Sequence, residues 1–122
     1  MRALDWIVRL LAAGILLQTL YFKFTGAPES VYIFSTLGLE PWGRIGSGVA
    51  ELAASALLLW TGTAGFGGVL AAALMAGAIV SHLTRLGIEV QGDGGLLFGL
   101  AWVVLVCGLV TAAVHREQLR LP

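Results

Sequence analysis

Four apolar stretches, each close to twenty residues long, run through this 122-residue chain at roughly 6–24, 41–61, 64–86 and 94–114. A bilayer hydrocarbon core is about 30 Å thick, and a helix needs about 20 residues to cross it. The expectation is therefore an all-α integral membrane protein, a four-helix bundle forming a single domain over residues 1–122. Composition agrees: 58% of residues are hydrophobic and 11% charged, against about 25% charged in soluble domains. Mean hydropathy is +0.92. Such a surface cannot face water throughout, and its partner is the lipid bilayer.

The charges exclude other classes. Seven basic and seven acidic residues give a formal net charge of zero, with no basic run of the kind that binds nucleic acid. The single cysteine, Cys107, lies in an apolar run, so dithiol chemistry and thiolate metal sites within one chain are ruled out. It reads as a small buried hydrophobe. No glycine-rich phosphate loop, serine or cysteine elbow, or histidine cluster with metal-ligand spacing occurs.

The first stretch resembles a signal sequence, because Arg2 and Arg9 precede the run from Leu10 to Leu17. It lacks a small-x-small cleavage site and is followed by aromatic Tyr21, Phe22 and Phe24, so it reads as a retained span. Gly62 is expected to end span two in a left-handed conformation and Thr63 to cap span three. Gly87 is expected to end span three and Asp93 to cap span four. Pro41 suits the first turn of span two, with Glu40 favourable beside it.

Between spans one and two, Pro28, Glu29 and Ser30 open a short helical pattern that stops at Gly38, with Val31, Phe34 and Leu37 on one face. This reads as a short interfacial helix lying over one end of the bundle, either as a plain cover or as a lid above a pocket. Four-residue spacing of small residues marks expected contact faces: Gly46, Ala50 and Ala54, then Gly68, Ala72 and Ala76, then Gly95 and Gly99. Arg2, Arg9, Arg116 and Arg120 lie on the side of both termini, against Lys23, Arg44 and Arg85 on the other. The positive-inside bias then favours cytoplasmic termini. Trp6 and Trp60 would mark the inner interface, and Tyr21, Tyr32 and Trp42 the outer one.

Glu51 is the residue these spans must accommodate. An acid at the centre of a membrane helix costs roughly 2.5–3.5 kcal/mol on insertion scales. At 1.5 Å per residue, it lies about 15 Å along the axis from Pro41, near the midplane. Arg44, Ser47 and Glu51 share one face at i, i+3 and i+7. Span one adds Gln18, Tyr21 and Thr25 on one face, with Lys23 near its outer end. Span three adds Ser81, His82 and Arg85. With alternating helix directions, Gln18, Ser47, His82 and Arg85 fall in the half that carries the interfacial helix. A polar pocket opening outward with Glu51 at its floor is the simplest arrangement. The alternative is that Glu51 bonds across helices purely as structural glue. Arg44, Lys23 and Arg85 also suit a snorkelling role as anchors.

The segments Lys23-Phe24-Thr25-Gly26-Ala27-Pro28-Glu29-Ser30, Leu37-Gly38-Leu39-Glu40-Pro41-Trp42, Arg44-Ile45-Gly46 and Glu51-Leu52 together resemble the DoxX family. The resemblance continues through Gly77-Ala78, Ser81-His82-Leu83-Thr84 and Gly92-Asp93-Gly94-Gly95, and spans roughly residues 14–110. It implies a small four-helix protein of the bacterial inner membrane. It also implies a link to quinol oxidation and thiosulfate:quinone oxidoreduction, with some members associating with redox-stress partners. With neither a cysteine pair nor haem-type histidines, electron transfer here would need a bound quinone or a partner subunit. Three functions follow as expectations. The first is a quinone-interacting subunit of a membrane redox system, in which Gln18, Glu51 and His82 hold the head group. The second is a non-enzymatic assembly or accessory protein packing against other membrane subunits or a second copy. The third is a dimeric proton-coupled exporter using Glu51, although the small four-helix exporters carry their glutamate in the first span.

Overall fold

The computed structural model describes residues 2–90 and 92–119, and these form helices and turns with no strand among them. Five α-helices follow in order: α1 (Arg2–Thr25), α2 (Pro28–Thr36), α3 (Trp42–Leu59), α4 (Ala64–Ser81) and α5 (Leu96–Val114). A 3₁₀ turn, Thr61–Thr63, joins α3 to α4; a π turn, His82–Leu86, extends α4; a second 3₁₀ turn, Arg116–Leu119, follows α5.

Among the described residues three helical stretches are long and apolar enough to cross a membrane: Ala3–Thr25, Thr61–Leu86 and Leu96–Val114. By length and composition this is a membrane protein. Helix α3 has 18 residues but is less apolar, because Arg44 and Glu51 lie within it. Each long helix has two main neighbours: α1 packs on α3 and α5, and α4 packs on α3 and α5. The short α2 leans on α1, α3 and the π turn. It is flanked by Gly26 and Gly38, whose φ of 68° and 74° let the chain turn sharply at both of its ends.

The core is built from Ala12 and Leu16 on α1, Ala54 and Leu58 on α3, Ala71, Met75 and Ile79 on α4, and Ala101, Val104 and Cys107 on α5. Close approach occurs at Gly68, which the spacing marked, and at Gly108 and Gly48, which it did not. A Cβ on Gly68 would lie 2.5 Å from the Gly108 carbonyl oxygen, and one on Gly108 would lie 2.7 Å from that of Gly68. Those two residues bring the α4 and α5 backbones together, as small residues do where no hydrophobic force drives association. On α3 the contact glycine is Gly48, packed against the Phe24 ring, while Gly46 and Gly99 face open space and Ala76 is exposed. A four-residue repeat identifies a stripe on the helix; which stripe turns inward depends on the neighbours.

Helix ends differ in instructive ways. Gly87 ends the π turn with φ 80°, as expected. Gly62 does not end α3 in a left-handed conformation; the helix stops where Trp60 turns extended (φ −101°, ψ 120°). Thr63 precedes α4 without capping it, because its hydroxyl donates to the Leu57 carbonyl at 3.0 Å. Helix α1 begins well before Trp6, and this carries Arg9 inside, fully buried. Arg9 is therefore a packing residue rather than a loop charge, which removes it from the orientation count. Arg120 lies outside the described residues, as does the side chain of Arg2.

At this end of the molecule Arg9 ties three elements together. Its Nε donates to the Leu58 carbonyl at 2.7 Å, Nη1 to Asp5 Oδ2 at 3.2 Å, and Nη2 to Thr61 Oγ1 at 3.4 Å. The guanidinium sits 3.8 Å from the Trp6 ring centroid. His115 Nε2 meets both Asp5 oxygens, at 3.0 and 3.1 Å. Gln118 closes the set by accepting from the Gly65 N–H and donating to the Thr61 carbonyl.

Candidate functional site

The opposite half holds a cavity of about 890 Å³. Its walls come from α1, α3, α4 with its π turn, and α5, and α2 lies across it with Ser30, Ile33, Phe34 and Leu37 facing in. That volume falls within the range of small-molecule sites, about 300–1,000 Å³. The walls are chiefly apolar, with a few polar groups from different helices converging on them.

The deepest is Glu51, whose side chain is 2% exposed. Lys23 Nζ stands 2.9 Å from Glu51 Oε1. The same ammonium donates to Ser47 Oγ at 2.8 Å, and Oε1 has no well-aligned hydrogen bond beyond this ionic contact among the described residues. Thr19 Oγ1 lies 3.2 Å from Oε2 and 2.9 Å from the Leu16 carbonyl, so one hydroxyl proton is shared between two acceptors. Glu51 is thus neutralised by Lys23 yet keeps acceptor capacity on a cavity wall. A buried ion pair with spare hydrogen-bonding capacity beside an apolar cavity marks a candidate functional site. Lys23 also lies 5.6 Å from the Phe34 ring of α2, within cation–π range, so α2 touches the same cation.

His82 supplies the second polar wall. Its ring, 6% exposed, places Nδ1 2.9 Å from the Gly87 carbonyl, and the Gly87 N–H donates back to the His82 carbonyl at 2.7 Å. That second bond, from residue i+5 to i, is what makes the turn a π turn, a feature frequent at functional sites. A carbonyl only accepts, so Nδ1 carries the proton, and in the neutral ring Nε2 is left as an acceptor. Phe98 holds the ring from the side, edge to face at 5.5 Å.

Of the six residues singled out from the sequence, Gln18, Ser47, Glu51 and His82 line the cavity. Arg44 and Arg85 do not. Arg44 pairs with Glu40 at 2.9 Å and donates to the Lys23 carbonyl, fastening the end of α1 to α3. Arg85 is exposed on the π turn. Thr19 was missed because α1 presents the face carrying Thr19, Phe22 and Lys23, whereas Tyr21 and Thr25 are exposed and Thr25 bonds back to the Tyr21 carbonyl. The available signal was the Thr19–Lys23 spacing of one helical turn.

Asp93 lines the cavity mouth and organises the segment before α5. Its Oδ1 accepts from the Val90 and Gly95 N–H groups at 3.0 and 2.8 Å, and its Oδ2 from Leu97 at 3.1 Å. It thereby caps α5 as expected, although the residue at the helix boundary is Gly95, with φ 86°. Burial opposes its charge, but the three N–H donors, aided by His82, hold the carboxyl below the usual carboxylate range. A lowered folded pKa means the ionised group stabilises this segment above about pH 3.9, the unfolded value, and the contribution fades as pH falls through the folded value. Exchange protection of the Leu97 amide should accordingly hold down to about pH 4 and drop below it. Asp93→Asn should remove the pH step; a step that persists would rule Asp93 out as its source.

No known protein family, curated protein or solved structure matches this chain.

Proposed function

We propose that this chain is a four-span protein of the bacterial inner membrane that binds a quinone or quinol beneath α2 and serves as an accessory subunit of a membrane redox system. In this reading α1, α3, α4 with its π turn, and α5 cross the bilayer, α2 lies in the interface, and both termini are cytoplasmic. The resemblance to the DoxX family points the same way. The observation that carries the ligand class is the placement of the Glu51–Lys23 pair and of His82 on walls of one apolar cavity.

The chemistry suits both redox forms. A quinol presents two hydroxyl donors on an apolar ring, and Glu51 and His82 Nε2 offer two acceptors. A quinone presents carbonyl acceptors, for which the Lys23 ammonium and Thr19 hydroxyl are the donors. Ile33, Leu37, Leu97 and Leu100 supply apolar surface for the ring and the start of its tail. The chain's role is to hold and orient this molecule, with electrons passing through a partner subunit.

Extraction of membranes in a mild detergent should yield protein carrying quinone, measured by chromatography of the organic extract. Glu51→Gln and His82→Ala should each lower the bound quinone tenfold or more, about 1.4 kcal/mol or greater in affinity, with helix content intact. Wild-type protein free of quinone, alongside normally folded variants, would overturn the reading. Proton-driven substrate uptake into vesicles that disappears in Glu51→Gln would favour an exporter instead.

A further inference from the structure

The exposed residues that line the cavity are Pro28, Leu39 and Gly77 on the sides of α2, α3 and α4, and Gln18, Phe22 and Leu96 on α1 and α5. The core residues of α1 end at Leu16 and those of α5 begin at Ala101, and both of these lie at the cavity floor. Beyond them, towards α2, the two helices contribute lining residues that are exposed on the outside of the molecule as well. Phe22 is 44% exposed, Leu96 is 61% exposed, and Gln18 is exposed. A side chain that borders a cavity and the exterior together stands at the rim of an opening. The other end of this seam is fastened by the His115–Asp5 contact. No short loop ties α1 to α5 at the cavity end, since α1 runs on into α2 and α5 is reached from the segment ending at Gly95. Helix α2 rests chiefly on α1, α3 and the π turn rather than on α5.

The chemistry of the rim identifies what it faces. Phe22 and Leu96 are apolar and exposed on helices long and apolar enough to span a bilayer, and half-buried Leu100 lines the cavity beside them. Gln18 is the one polar side chain on this stretch of rim. It is uncharged and able to donate or accept a hydrogen bond as a head group passes.

We infer that the cavity opens sideways into the bilayer between the α2-side ends of α1 and α5, through a portal edged by Gln18, Phe22, Leu96 and Leu100. Its ligand is therefore a membrane-dissolved amphiphile that slides in head first. This rests on the reading of the cavity as a ligand site, and it adds the route and the partition of the ligand. The head reaches Glu51 and His82, and the apolar tail remains between the helices and the lipid, so tail length is not limited by the cavity volume.

The test uses no quinone, so its failure is separable from failure of the quinone reading. Ala78→Cys places a thiol on the α4 wall, in full-length protein carrying Cys107→Ala and reconstituted in vesicles. Thiol addition across the maleimide double bond forms one carbon–sulfur bond, and mass spectrometry follows it. A maleimide bearing a long alkyl chain should label this thiol at least ten times faster than a sulfonated, membrane-impermeant maleimide present on both sides of the membrane. Gln18→Trp and Leu96→Trp, each at an exposed position that tolerates bulk, should each slow the alkyl reagent at least tenfold. Equal rates for the two reagents would overturn the portal in favour of access from water. Unchanged alkyl labelling in both tryptophan variants would overturn it in favour of another seam. Slowing by Gly77→Trp alone would place the opening on the α4 side instead.

Discussion

Arg9→Met should lower the stability of the folded protein by about 3–5 kcal/mol, the range seen when one partner of a buried charge pair is removed. Arg9 is 0% exposed and satisfies three acceptors on α1, α3 and the Thr61–Thr63 turn while stacking on Trp6. Methionine preserves much of the stem packing but leaves the Leu58 carbonyl without its donor and Asp5 with His115 alone. Arg9→Lys should recover little. An ammonium on a flexible stem cannot reproduce a planar fork that meets three acceptors in fixed directions and lies flat on an indole. Asp5→Asn should cost less than Arg9→Met, because the guanidinium keeps its bonds to Leu58 and Thr61. Reversible unfolding in a mild detergent, followed by circular dichroism, measures all three. A loss below about 1 kcal/mol for Arg9→Met would place this arginine with the exposed ion pairs and remove its role as the fastening of that end.

Arg9 also shows where reading the chain alone stops. Length and apolar composition were enough for helices at four places, of which three are long and apolar enough to cross a membrane, because that length is a one-dimensional requirement that a sequence states directly. The punctuation that survived is likewise local: Gly87 with positive φ and Asp93 capping α5 each involve partners within a few residues. The readings that moved needed a neighbour. Arg9 looked like a flanking charge, and two of its three acceptors lie 49 and 52 positions away on α3 and the turn after it. Gly62 was expected to stop α3, but a 3₁₀ turn achieves the reversal without a left-handed residue. The four-residue repeats of small residues were real, yet Gly68 found its counterpart at Gly108 rather than at Gly95 or Gly99. On α1 Gln18 does line the cavity, but the face runs on through Thr19, Phe22 and Lys23 rather than Tyr21 and Thr25, because periodicity gives the spacing of a face and tertiary packing sets its rotation. Glu51, Ser47 and His82 were legible as residues that an apolar helix does not carry without reason. What could not be read was that Lys23 would divide itself between Glu51 and Ser47.

That division makes Lys23 and Glu51 the pair whose separation has the other large effect. Lys23→Met should destabilise the protein by about 3–5 kcal/mol, since it leaves a buried carboxylate with only the shared hydroxyl of Thr19. Glu51→Gln alone should cost less, because the ammonium retains its bond to Ser47 and is more exposed, at 16% against 2%. The double variant Lys23→Met, Glu51→Gln should regain much of the loss. Removing both charges removes the desolvation penalty along with the attraction, and a contacting pair commonly shows 0.5–3 kcal/mol of coupling, about 2 kcal/mol here. Strict additivity of the two single losses would show that the 2.9 Å approach carries no energetic coupling. The same double variant also separates the two roles that the sequence left open for Glu51. If the acid only glues α1 to α3, a protein restored in stability is restored in everything. If it holds a ligand, stability returns and quinone binding does not, because the charged carboxylate facing the head group and the ammonium beside it are both gone. Bound quinone in the double variant at wild-type level would therefore assign the pair to structure alone.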